Sequence, residues 1–224
     1  MTSKNDLALE RAVEGKVIYL LALIVLVQFA YPITANGTFA LTVYVILYAS
    51  MLAVGILLGR DSRFHTLFLM VTGISYLAAS LLIYASMPTA IWAVIITYIT
   101  LIPYLGMLVW ILGRFLVVVQ TITRDVLYAA VALYLLLGAI FVPIYGLLDF
   151  IIPNSFRDGT FPDAPVQWQQ FVYFSYTTLT SSGYGDILPV SWWARSFANL
   201  EMITGVLFIT IVMSRLVSLY NSDK

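Results

Sequence analysis

Long uncharged runs, bounded by small groups of charges and broken by short turn signals, set the pattern of this chain. Lys16 and Arg60 bracket one such run, interrupted by YPITANGTF, whose Pro, Asn and Gly mark a turn, so spans are predicted at about 17–34 and 39–59. A second run from residue 66 to 113 is broken by SMPT at 86–89 and predicts two more. Residues 126–148 give a fifth span, and about 191–220 a sixth, despite Arg195 and Glu201. About 20 apolar residues are needed to cross the hydrocarbon core. Six transmembrane helices are therefore expected.

Composition agrees: hydrophobic residues make up 62% of the 224 and charged residues only 10%, where soluble domains carry about a quarter. An integral membrane protein follows. No small-residue cleavage pattern follows the first span, so it is read as a retained helix. The formal net charge is zero, and no charge excess points to nucleic acid. With no cysteine and a single histidine, His65, disulfides, thiolate chemistry and a multi-histidine metal site are excluded within one chain. Glu201 stands alone as an acid inside the spans, and no constellation suggests an enzyme or a cofactor. The NGT at Asn36 fits a glycosylation pattern.

Positive residues collect on the cytoplasmic face of membrane proteins. Six spans put both termini on one side, and of the 11 Lys and Arg residues only Arg157 and Arg195 then fall on the other. Both termini are expected in the cytoplasm, and the segment between the fifth and sixth spans outside. That segment has a Pro-, Gly- and Asp-rich part, IIPNSFRDGTFPDAP, read as an exposed turret without a long regular element. The aromatic stretch VQWQQFVYFSYTTLT follows, too short as a helix to cross the membrane. It dips in and returns. Backbone that leaves helical form at that depth is tolerated where it lines a water-filled path, which is the expectation for TSSGYGD.

The stretch TLTSSGYGD, flanked by two helices, resembles the filter signature of the tetrameric potassium channels. What the resemblance implies is an all-α integral membrane protein with six transmembrane helices, a re-entrant pore helix and a selectivity filter, assembled as a homotetramer around potassium ions in the lipid bilayer. It assigns the filter to Thr180, Ser181, Ser182, Gly183, Tyr184 and Gly185, with carbonyls of Ser181, Ser182, Gly183 and Tyr184 replacing the ion's water shell. Gly183 and Gly185 suit backbone angles that side chains resist. Asp186, with Tyr173 as a hydrogen-bond partner, and Thr177 and Glu201 support the filter by the same resemblance. Glu201 is either a structural hydrogen-bonding group facing the pore helix near Thr177 or a proton-sensitive gate. Gly205 matches the flexible glycine of the family's inner helix, with close helix packing as the alternative. Two departures stand out. Ser181 and Ser182 replace Thr and an apolar branched residue, so the Ser182 hydroxyl needs a partner such as Thr177 or Thr178, and Phe174 lacks the ring N–H of the family's indole.

The expected organisation is a cytoplasmic segment at 1–16, a four-helix transmembrane domain at 17–113, an interfacial linker at 114–124, a pore domain at 125–220 and a cytoplasmic tail at 221–224. The four-helix domain copies the layout of a voltage sensor, yet residues 91–113 carry no charge that a field could move. Pro103 is expected to kink the fourth span. The reading is a potassium-selective channel of the plasma membrane, the inner membrane of a bacterium, not gated by a conventional sensor. The alternatives are a non-selective cation channel, a potassium transporter and an accessory subunit.

Overall fold

The computed structural model describes residues 4–32, 38–85, 91–162 and 164–222. Eight helices and two short strands follow one another among them: α1 (Lys4–Val13), α2 (Val17–Ala30), α3 (Thr38–Leu58), α4 (Arg63–Ala85), α5 (Ile91–Val118), α6 (Arg124–Ile151), β1 (Phe156–Asp158), α7 (Trp168–Leu179), β2 (Ile187–Pro189) and α8 (Trp192–Ser222). Asn36 and the SMPT turn lie outside the described residues, as does the end of the tail.

Among the described residues, the four helices α4, α5, α6 and α8 are long and apolar enough to cross a membrane. The protein is thus helical and multi-pass. The span predicted at 17–34 is a 14-residue helix, about 21 Å long, and the one predicted at 39–59 is the 21-residue α3, about 31 Å long. The stretch read as an interfacial linker divides differently. Its first residues continue α5 as far as Val118, because nothing between Pro103 and that point breaks the helix.

The chain forms two compact units, one of residues 1–136 with 218–224, the other of residues 137–217. The first three turns of α6 therefore belong with the four-helix unit and not with the pore segment. Within this first unit the buried side of α5 repeats at helical spacing through Leu101, Tyr104, Leu105, Leu108, Ile111, Leu112 and Phe115. The amino-terminal segment is docked rather than solvated: Leu9, Ala12 and Val13 of α1 are buried. The turn after α1 places Gly15 at φ 69°, and its N–H donates to the Asp125 carboxylate at 3.1 Å. Tyr104 is wholly buried, and its hydroxyl donates to the Leu52 carbonyl at 2.6 Å. Two glycines make room for it. A Cβ at Gly55 would collide with the hydroxyl, and one at Gly73 would lie 3.2 Å from the ring.

In the second unit, Phe141, Tyr145, Leu148, Phe156, Phe171, Phe174, Ile187, Ala194 and Ala198 form one buried cluster. Its aromatic rings meet edge to face: Tyr145 and Phe174 have centroids 5.1 Å apart, Phe156 and Phe171 5.0 Å. This is the arrangement the ring quadrupoles favour. Phe156 comes from the stretch read as an exposed turret, in which Ser155, Phe156 and Asp158 are buried. Its strand β1 alternates buried Phe156, exposed Arg157 and buried Asp158 and pairs antiparallel with β2, Phe156 opposite Pro189 and Asp158 opposite Ile187. The described residues are mostly helical, with one small ribbon of two three-residue strands.

Tyr104→Phe removes one buried hydrogen bond and should cost about 1 kcal/mol, whereas Gly55→Ala forces the ring out and should cost more. Chemical unfolding in detergent micelles, followed by near-UV circular dichroism, orders the two.

Candidate ion pathway

Helix α7 starts where the chain leaves Pro165. Gln167 is extended, with φ −89° and ψ 159°, and its N–H is capped by the Gln170 Oε1 at 2.7 Å. The 12 residues of α7 rise about 18 Å, short of a bilayer's hydrocarbon core. The helix ends at Thr180, whose hydroxyl donates back to the Tyr176 carbonyl at 2.7 Å. The chain then reverses tightly. The N–H of Ser181 donates to the Thr178 carbonyl at 2.9 Å, and the N–H groups of Ser182 and Gly183 donate to the Thr177 carbonyl at 2.8 and 3.1 Å.

Those donors are tied to the carboxyl end of α7, and among the described residues no backbone N–H bonds the carbonyls of residues 181–184. Left-handed φ angles recur at every second position: Ser181 at 57°, Gly183 at 48° and Gly185 at 79°. Nothing lies within 4 Å of a Cβ built on Gly183 or Gly185. Backbone conformation, not crowding, thus calls for glycine at both. Ser181 holds the same conformation with a side chain, at a cost of about 1–2 kcal/mol, a strain of the kind that concentrates at functional positions. Residues 180–186 are all exposed in the single chain.

Glu201, fully buried on α8, is the polar centre of the unit. Tyr145 of α6 donates its hydroxyl to Oε2, and the Ser175 hydroxyl lies 2.5 Å from Oε1 and 2.7 Å from the Gly138 carbonyl. One carboxyl therefore joins α6, α7 and α8. The partner on α7 is Ser175 and not Thr177, whose hydroxyl donates to the Phe174 carbonyl at 2.9 Å. Gly205, one turn further along α8, lies directly against the end of α7, and a Cβ there would overlap the Leu179 carbonyl oxygen. Gly138 is likewise pressed by the Tyr176 ring, 2.6 Å from where its Cβ would be.

The remaining predicted supports fall close by. The Tyr173 ring stacks on Tyr184, centroids 6.3 Å apart and 10° from parallel. Asp186 accepts the Ile187 N–H at 3.0 Å. The Ser182 hydroxyl pairs with that of Thr180 at 3.0 Å, not with Thr177 or Thr178. Tyr145, Ser175 and Gly138 escaped the sequence reading. A lone acid in an apolar helix signals that donors exist, but nothing in the local pattern names them.

Comparison with known proteins completes the description. Residues 129–221 match the family model described as "Ion channel". The chain is 28% identical over 92 residues, 41% of its length, to the potassium voltage-gated channel subfamily V member 1 of Rattus norvegicus and of Homo sapiens. It is 32% identical over 82 residues, 37% of its length, to the inward rectifier potassium channel Kirbac3.1 of Paramagnetospirillum magnetotacticum. Residues 129–221 are thus similar to an ion channel domain, and the relatives that share this similarity are potassium channels. The matched segments cover 17% of the voltage-gated relatives and 25% of the inward rectifier, and the family match at residues 129–221 falls on α6 to α8. No solved structure matches the chain significantly.

Glu201→Gln keeps an acceptor for Tyr145 and a donor for Ser175, and should leave stability within about 1 kcal/mol of the parent. Glu201→Ala strands the Tyr145 hydroxyl, at about 1–3 kcal/mol, and leaves the Ser175 hydroxyl to the Gly138 carbonyl. Thermal unfolding of the purified variants in the same detergent compares them; equal losses for Gln and Ala would show that the hydrogen bonds do not hold the helices together.

Proposed function

We propose that four copies of this chain assemble around one axis in the plasma membrane and pass potassium down its electrochemical gradient. The observation that carries this reading is the backbone from Ser181 to Gly185. Alternate left-handed residues, with the N–H groups of 181–183 drawn to Thr177 and Thr178, leave a run of carbonyls free to face ions. One chain supplies one such run, and a closed ring around an ion needs several, which cyclic symmetry provides. Apolar residues of α8 uncovered in the single chain, Leu200, Ile203, Leu207 and Ile211 among them, suit contact with neighbouring copies and lipid.

Ser181, Ser182, Gly183 and Tyr184 hold the ions through their carbonyls in this reading, and Thr180 and Gly185 bound the run. Asp186, Tyr173 and Thr177 brace it. Glu201 is the structural bolt behind it, and Gly205 allows α8 its close approach to α7. Both termini lie in the cytoplasm by the charge count. The uncharged first half of α5 leaves the four-helix unit without gating charge, since a field of 100 mV acts on each charge with only about 2.3 kcal/mol. The names of the relatives, potassium channels all, support potassium as the permeant ion.

A non-selective cation channel is the second reading, favoured by Ser182. Its hydroxyl bonds only a neighbouring hydroxyl on an exposed loop, a softer wall than a branched apolar residue packed in place.

Flux into proteoliposomes separates the readings: potassium should exchange and sodium should not. Equal rates would promote the non-selective channel, and no flux with either ion would point to an accessory subunit. In planar bilayers the conductance should change little with voltage; a steep sigmoid equivalent to several charges per subunit would contradict the reading of the uncharged residues 91–113. Ser182→Val should prolong potassium current at low potassium.

A further inference from the structure

We propose that the turret of this chain is a clamp on the outer end of the filter, with Asp158 and Gln170 as its positioning residues. The inference rests on the reading of residues 181–185 as a filter. The segment that leaves the filter is Asp186 to Pro189, and the turret grips it along its length. The Gly159 N–H donates to the Asp186 carbonyl at 2.7 Å, at the residue following the last filter glycine. The ladder then pairs Asp158, Arg157 and Phe156 with Ile187, Leu188 and Pro189. Beyond it, the Ser155 carbonyl accepts from Val190 at 2.8 Å and Ser191 at 3.3 Å.

The grip is itself anchored at two points. Asp149, near the end of α6, accepts the N–H groups of Ser155 and Phe156 at 2.9 and 3.3 Å. Asp158, buried to all but 8%, uses Oδ1 to accept from Thr160 at 2.6 Å and Phe161 at 3.2 Å, which turns the chain sharply and aims Gly159 at Asp186. Its Oδ2 accepts from Gln170 Nε2 at 2.5 Å. The other Gln170 side-chain atom caps Gln167, so the amide is fixed in orientation with its donor toward Asp158. Turret, first turn of α7 and filter exit thereby form one hydrogen-bonded ring.

Such a ring answers a deficit in this chain. Phe174 has no ring N–H to offer the filter, and it is turned instead into the aromatic cluster against Tyr145 and Phe156. The ring at position 174 thus braces the cluster and not the filter, and the turret restrains the filter at its outer end. Gly159 fits the same scheme, since a Cβ there would lie 3.2 Å from the Asp186 oxygen and push the two strands apart.

The fixed amide allows a test by exchange of donor and acceptor. Asp158→Asn faces one amide N–H with another, and Gln170→Glu faces one carboxylate with another. The double variant D158N/Q170E restores one donor to one acceptor while keeping both the turn at Oδ1 and the cap on Gln167. In proteoliposomes and planar bilayers at low external potassium, each single variant should lose potassium current about fivefold faster than the parent, the factor one hydrogen bond carries. Each should also admit more sodium, high external potassium should slow the loss, and the double variant should return to parental behaviour. Amide hydrogen exchange at Gly159 should accelerate in the singles and recover in the double. Singles that match a potassium-selective parent in current and exchange would overturn the clamp and leave the filter reading standing. A parent that does not prefer potassium would overturn both.

Discussion

Peptide groups that leave helical form inside a bilayer need partners, because each unsatisfied one costs several kcal/mol there. In this chain that constraint falls on the few residues after α7. The carbonyls of Thr177 and Thr178 accept the N–H groups of residues 181–183, which satisfies the donors; in the proposed reading the acceptors are left to an ion. The rest of the second unit follows from holding that arrangement still. A donor set fixed on the protein side and an acceptor set facing outward is a stable object only if α7 cannot shift along its axis.

Three devices prevent the shift, each using different chemistry. Glu201 ties the middle of α7 to α6 and α8 through two hydroxyls. Gly205 lets the α8 backbone close on the last carbonyl of α7, a contact in which the absence of a side chain is the essential property. The aromatic cluster around Phe156 and Phe174 fills the outer side, where the edge-to-face contacts resist rotation of the helix. Polar, steric and dispersive restraints thus converge on one 12-residue helix.

The sequence revealed most where membrane physics acts on composition. Charge-free runs located α4, α5 and α6, a long apolar run located α8 despite Arg195 and Glu201, and the aromatic stretch located α7 because it is too short to cross. Glycine spacing marked positions 183 and 185, since a left-handed residue without a Cβ is cheap. Position 181 was assigned to the ion-facing run, but its left-handed angle was not legible, for serine carries no such mark. The β1–β2 ribbon was missed because three-residue strands offer no period to read, and Asp158 looked like a solvated turret charge. Tyr145, Ser175 and Gly138 were missed for another reason: a contact between residues far apart in sequence leaves no trace in either neighbourhood. The end of the four-helix unit moved into α6 because its boundary is set by packing, while the sequence marks only Arg114 and Arg124.

The central claim is that carbonyls of residues 181–184 replace an ion's water shell on a common axis. Thallium, a heavy monovalent ion close to potassium in size, reports this directly through its anomalous scattering in crystals of the assembled protein. The account predicts a row of thallium peaks on a four-fold axis, each between successive planes of carbonyl oxygens from Ser181 to Tyr184. An axis without thallium, or carbonyls of these residues turned into the protein while thallium sits elsewhere, would contradict it.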